Sequence, residues 1–364
     1  MKILTVVGAR PQFIKAGIVS KTLAARGFVE TLIHTGQHYD ERMSGRFFSE
    51  LDIPAPHHHL GIGSSSHGAQ TGRMMEQLEA LILSSGHPDA MLVYGDTNST
   101  LAGALVASKL NLPIAHVEAG LRSFNRAMPE EVNRVVTDHL STWCFCPTAT
   151  AVTNLEHEGI RSGVHLCGDV MYEATLHLAQ HFASGSALMD ALRRDIAPHP
   201  ITWPDGPFLL ATIHRAENTD HSERFKAILD GLSMSPNPVV LPAHPRIRPM
   251  LDRLSLPPTV HIIPPVGYAV MLGLVRLASG VVTDSGGLQK EAYWLETPCI
   301  TVRDETEWVE TLHDGWNQLA GADPAVIGSA FGRIPTAPTK PFGFIPPRNP
   351  SERIADALMG ARRS

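Results

Sequence analysis

Short apolar runs alternate with amphipathic stretches along the whole sequence, and no other feature restricts the fold as tightly. In the first half the runs are Lys2–Val7, Glu30–Thr35, Ala90–Gly95, Pro113–Glu118, Trp143–Pro147 and Gly163–Cys167. Between them lie Pro11–Ala25, Ala69–Ser84, Ser99–Leu110 and Thr148–Glu158, whose apolar residues recur at helical spacing. The second half repeats the plan with Phe208–Ile213, Pro238–Pro242, Val260–Ile263, Gly280–Thr283 and Pro298–Val302. Its helices are expected near Arg224–Leu232, Arg246–Leu254, Ala269–Leu277 and Leu288–Leu295. A strand that is apolar along its length must be covered on both faces, which calls for parallel strands between layers of helix. The pattern therefore predicts an α/β chain of two doubly wound domains.

The 364 residues exceed one ordinary core and fit two domains of roughly 150–200 residues. The division is expected at 1–170 and 171–350, because a helical stretch there runs into the proline- and glycine-rich segment Ala197–Pro207. A second proline-rich segment, Thr336–Pro350, precedes a last helix near Ser351–Met359. Net charge is −6, which argues against nucleic acid or an anionic membrane as partner. No run reaches the ~18 apolar residues of a membrane span, and the apolar start is too short for a signal peptide. Cys144, Cys146, Cys167 and Cys299 lack zinc spacing and read as buried thiols of a cytoplasmic protein. The tract His57-His58-His59 lies between prolines, reads as a loop and is not expected to hold a metal.

Ligands of doubly wound folds sit beyond the carboxyl ends of strands, and two domains facing each other form a cleft. Unusual residues collect at those ends. Val281–Glu291 reads as a strand, a Ser285-Gly286-Gly287 turn and a helix start, where free backbone N–H groups suit a phosphate. Such turns also serve as plain connections. Glu291, further along the helix, is placed to accept hydrogen bonds from ribose hydroxyls. Arg10 and Lys15 follow the first strand as cations for a phosphate or as solvated surface charges. His214 and His244 each follow a strand of the second half, as phosphate ligands or as satisfied loop residues. Asp96, Glu118 and Glu130 each place a carboxylate after a strand or at a helix start. Capping or the helix dipole accounts for any one of them, but three on one edge raise each other's pKa and are what acid–base chemistry requires.

Together these segments resemble the non-hydrolysing UDP-N-acetylglucosamine 2-epimerase family over nearly the whole chain. The resemblance rests on Gly8-Ala9-Arg10-Pro11, Gly95-Asp96-Thr97, His116–Arg122, Pro129-Glu130-Glu131, His214-Arg215, Thr283–Gly287 and Arg303–Glu307. It implies a glycosyltransferase-B-like fold of two Rossmann-like domains facing a cleft, whose last helix, 351–364, packs back on the N-terminal domain. It also implies removal of the C2 proton while UDP leaves C1, a 2-acetamidoglucal intermediate, and re-addition after protonation of the opposite face. No cofactor or metal is needed for that chemistry, and the partner is a UDP-sugar. By match, Asp96, Glu118 and Glu130 are the acid–base candidates. Arg10, Lys15, His214 and the Ser285–Gly287 turn hold the diphosphate, and Glu291 takes the ribose. A homodimer is what the family suggests.

Three departures from the family's pattern bear on the substrate. Thr306-Glu307-Trp308-Val309-Glu310 stands where the acetylglucosamine enzymes carry Thr-Glu-Arg-Pro-Glu, and resembles the subgroup acting on UDP-2,3-diacetamido-2,3-dideoxyglucuronic acid. Gln12 stands where the first loop commonly has Glu, and Gln37-His38-Tyr39-Asp40 differs from the Gln-His-Arg of the bacterial allosteric site. The sugar is left open between the two. A glycosyltransferase and a silent UDP-sugar-binding protein are the competing classes.

Overall fold

Every residue of β1 (Lys2–Val7) after Lys2 is buried, so neither face of this strand meets water. The structure is a computed structural model and describes residues 1–37, 54–180, 182, 185–196, 203–204, 206–244, 247–251, 253–254, 256–306, 308–334 and 349–360. His38–Asp40, Glu307 and most of the two proline-rich loops lie outside the described residues. The chain divides into two units, Met1–Ala174 with Pro346–Ser364, and Thr175–Ile345.

In the first unit β1 is joined by β2 (Val29–His34), β3 (His58–His59), β4 (Ala90–Tyr94), β5 (Ile114–Val117), β6 (Trp143–Cys146) and β7 (Val164–Leu166). They pair in the order β3-β2-β1-β4-β5-β6-β7, always in parallel. The covering helices are α1 (Arg10–Ala25), α2 (His67–Ser85), α3 (Asn98–Lys109), α4 (Pro129–Leu140) and α5 (Ala149–His157), and the division after Ala174 falls within α6 (Val170–Gln180). α2 shows how the sequence pattern becomes packing: Met74, Leu78 and Ile82, four residues apart, form one buried stripe against Leu4, Val6, Met91 and Val93. The histidine tract departs from expectation, since His58 and His59 form an edge strand against Ile33 and His34. Two residues are too few to show a period, so only long-range pairing reveals this strand.

The second unit holds β8 (Leu209–Thr212), β9 (Val239–Pro242), β10 (Val260–Ile263), β11 (Gly280–Thr283), β12 (Cys299–Thr301) and β13 (Asn317–Leu319), in the order β10-β9-β8-β11-β12-β13. Its helices are α7 (Gly185–Ile196), α8 (Ala216–Thr219), α9 (Ser222–Ser233), α10 (Arg248–Leu251), α11 (Tyr268–Leu277), α12 (Gly286–Trp294) and α13 (Pro324–Phe331). Successive residues of a strand belong to opposite cores. Leu209 and Ala211 pack with Phe225 and Ile228 of α9, whereas Leu210 packs with Leu192 of α7 and Leu274 of α11. The final helix, α14 (Pro350–Gly360), lies on α1 of the first unit. Arg26 donates to Glu352 (2.9 Å) and Asp356 (2.7 Å), and Ser351 donates from N and Oγ to the Glu173 carboxylate (2.9 and 2.7 Å).

Candidate active site

In each sheet the strand order reverses once, between β1 and β4 in the first unit and between β8 and β11 in the second. Loops leaving two adjacent strands there run to opposite faces and open a crevice at the carboxyl ends, where such folds bind ligands. The loops at these two points are Gly8–Arg10 with Gly95–Asp96, and Ile213–Arg215 with Asp284–Gly287.

At the first point, close packing of the backbone fixes the loops. A Cβ on Gly8 would lie 2.1 Å from Ser99 Oγ and 2.2 Å from Thr35 Oγ1, so only glycine fits. Gln12 is buried and bridges β1 to β4. Its Oε1 accepts from Gly8 N (2.7 Å) and Ala9 N (3.0 Å), and its Nε2 donates to Tyr94 O (2.6 Å). A glutamate would turn an acceptor toward the Tyr94 carbonyl, which gives the Gln12 departure a physical content. Arg10 is the first residue of α1 and is exposed.

Lys15 is buried and forms an ion pair with Glu118 at the end of β5. Burial alone would lower the pKa of its ammonium. Glu118, with further attraction from Asp169 and Asp96, overcomes that effect and holds it above the ordinary lysine value. Glu118 has φ +74°, an uncommon conformation for a residue with a side chain. Asp96 is half-buried and paired with Arg134 of α4, and its carbonyl accepts from Asn133 Nδ2 at 2.9 Å. Glu130, in the first turn of α4, is exposed. Its neighbour Glu131 is 3% exposed and accepts from Ser123 N, Ser123 Oγ and Phe124 N, each at 2.9 Å. Burial would raise the Glu131 carboxyl, but these donors and Arg134 bring it below its usual value. Sequence reading passed over Glu131 because two adjacent glutamates look alike until one is buried.

At the second point Asp284, fully buried, is the organising group. Its carboxylate accepts from His214 N (3.0 Å), Arg215 N (2.9 Å) and Asn218 Nδ2 (3.1 Å), and lies 3.4 Å from His214 Nδ1. Three donors around one acid tie the loop after β8 to the loop after β11. Ser285 caps α12, accepting from Leu288 N at 3.3 Å. Gly286 is buried, and Gly287 is exposed, with Ser285 Oγ 3.9 Å from where a Cβ would stand. The ring of His214 is half-exposed and lies 5.7 Å from that of His244, which is exposed. Glu291 is buried and accepts a 2.7 Å hydrogen bond from the Tyr268 hydroxyl. Nearby, Lys290 Nζ lies 4.1 Å from the centroid of the Trp308 ring. Sequence reading missed Asp284 and Tyr268 as supporting residues, since their partners are 70 and 23 residues away.

The structure thus brings Lys15 to Glu118, and His214 to His244 beside the Ser285 turn; Arg10, Lys15, Asp96, Glu118 and Glu130 are in the first unit, the others in the second. Among the described residues no group of three or more His, Cys, Asp or Glu is placed to hold a metal, and no helix is long and apolar enough to cross a membrane.

Two parallel sheets in Rossmann order, each with polar and charged loops at its point of reversal, define a glycosyltransferase-B-like α/β protein. Within that class the chain belongs to the UDP-N-acetylglucosamine 2-epimerase family, whose model matches residues 21–357. A UDP-N-acetylglucosamine 2-epimerase homolog of Methanococcus maripaludis is 47% identical over 98% of this chain and 99% of its own length. The UDP-2,3-diacetamido-2,3-dideoxy-D-glucuronate 2-epimerase of Pseudomonas aeruginosa is 49% identical over 88% of this chain and 89% of its own. The crystal structure of Methanocaldococcus jannaschii UDP-GlcNAc 2-epimerase, in complex with UDP-GlcNAc and UDP, superimposes with a TM-score of 0.82 at 38% identity. It covers 99% of this chain and 100% of that one.

Proposed function

We propose that this protein inverts C2 of a UDP-2-acetamido sugar by eliminating and re-adding UDP. The observation that carries the reading is the pairing of Lys15 with Glu118 beside Gly95-Asp96, at the reversal point of a chain in this family. The C2 proton has no adjacent carbonyl to acidify it, so its removal must be coupled to departure of the diphosphate. One carboxylate takes that proton, the C–H electron pair becomes the C1–C2 double bond, and the C1–O pair leaves with UDP. A second acid delivers a proton to the opposite face before UDP returns.

In this reading Asp96, Glu118 and Glu130 supply the acid–base groups. Arg10, Lys15, His214, His244 and the Ser285–Gly287 turn hold the diphosphate, and Glu291 takes the ribose. Two lines support the diacetamidoglucuronate as the sugar: the 49% identical relative, and Trp308, which stands where acetylglucosamine enzymes carry Arg and lies against Lys290. The M. maripaludis homolog and the M. jannaschii structure support UDP-N-acetylglucosamine as the second reading. A homodimer in the cytoplasm completes the proposal, the first from the family resemblance and the second supported by four free, buried cysteines.

Incubation with each UDP-sugar and identification of products by NMR tests the activity. The C2 epimer with intact UDP is expected. Free sugar with UDP would mean a hydrolysing enzyme, transfer to an acceptor a glycosyltransferase, and unchanged substrate a binding protein.

A further inference from the structure

His116 is fully buried in β5, and each of its ring nitrogens faces an acceptor. Nδ1 lies 2.7 Å from Asp138 Oδ1 and Nε2 lies 2.7 Å from the carbonyl oxygen of Gly95. A neutral imidazole donates from one nitrogen only, so this arrangement is satisfied in full when both nitrogens carry hydrogen. The other oxygen of Asp138 accepts from Gly120 N (3.1 Å) and Arg122 Nη1 (2.7 Å), and Arg122 also forks onto Glu158. Burial would raise the Asp138 carboxyl, but His116 and Arg122 hold it below its usual value, so it is ionised. Cys144, paired in register with His116, has its thiol pushed up by burial, as has Cys146, and neither adds charge.

These contacts join two turns. Gly95 donates from its N–H to Val117 O (2.9 Å) and turns away with φ +63°, which leaves its carbonyl to the His116 ring. The next residue is Asp96. Gly120, held by the same Asp138, follows Glu118 by two residues. We propose that His116, held by Asp138, is a positioning residue that fixes the Gly95–Asp96 turn relative to Glu118. The proposal rests on the epimerase reading, in which those two carboxylates work on one sugar carbon. A neutral structural histidine would need only one of the two contacts, whereas a clamp between the carboxylate-bearing turns needs both.

Two substitutions separate the contacts. His116→Gln places an amide donor near the Nε2 position and can still reach Gly95, whereas His116→Asn reaches only toward Asp138. With UDP binding retained as the check on folding, kcat is expected to fall between about tenfold and a hundredfold in His116→Asn, with KM little changed. His116→Gln is expected to recover most of that loss. Wild-type kcat in His116→Asn, or equal losses in both variants, would overturn the proposal. Failure of the epimerase reading is distinct, since the wild type itself would then exchange no C2 proton.

Discussion

Lys15 of α1 and Glu118 at the end of β5 pair across 103 residues of sequence, and both ends of the pair are largely withdrawn from water. Replacing Lys15 by Met keeps the length of the side chain and removes the cation beside the carboxylate. Glu118 then loses the cation that holds its side chain in place, so kcat/KM is expected to fall by about tenfold or more. Unchanged kcat/KM in Lys15→Met would separate this pair from the chemistry.

The same pair has a signature in stability. The folded Lys15 value lies above the ordinary 10.5, so its contribution is complete below about pH 10.5 and is lost as pH rises through the folded value. The difference in Tm between wild type and Lys15→Met is therefore expected to be constant from neutral pH to that point and to shrink above it. Paired melting curves across the alkaline range give the answer, and a difference that grows with pH contradicts the sign.

Gly95 is held at φ +63°, and a Cβ there would stand 3.1 Å from Glu118 Oε2 and 3.9 Å from Lys15 Nζ. Gly95→Ala is expected to cost about 1–2 kcal/mol in denaturant unfolding from the backbone alone. Its kcat should fall further than that stability loss explains, because the new methyl presses on the pair.

Asp284→Asn keeps the shape of the buried side chain but replaces one acceptor oxygen with a donor, among groups that donate. A loss of about 2–3 kcal/mol in stability is expected, with weaker UDP binding as the His214 loop loosens from the Ser285 turn. Calorimetric titration with UDP checks the second part; unchanged affinity would mean that Asp284 serves the core only.

Tyr268→Phe removes one buried hydrogen bond to Glu291. If Glu291 holds the ribose, UDP affinity should drop about three- to tenfold, in line with roughly 1 kcal/mol. A tighter complex would instead mean that Tyr268 competes with the ligand for that carboxylate.

Most of the fold could be read from the residues because its strands are apolar along their length. Lys2–Val7, Val260–Ile263 and Gly280–Thr283 fall where the pattern places them. β13 escaped because Asn317-Gln318-Leu319 carries no apolar run; its place depends on Asn317, buried and hydrogen-bonded to Thr301 (2.7 Å) and Thr311 (2.9 Å). The candidate residues were legible as charges at strand ends. What holds them was not. Asp138 reaches His116 across 22 residues and Asp284 reaches His214 across 70, and no local spacing records either contact.

The central claim, that a carboxylate of the first unit removes the C2 proton and a second acid delivers one to the opposite face, is tested most directly in deuterated water. Incubation with UDP-2,3-diacetamido-2,3-dideoxyglucuronate, and separately with UDP-N-acetylglucosamine, is expected to place one deuterium at C2 of the product from one of them, and Glu118→Gln should abolish it. Inversion at C2 without deuterium, or no exchange with either sugar, would contradict the account.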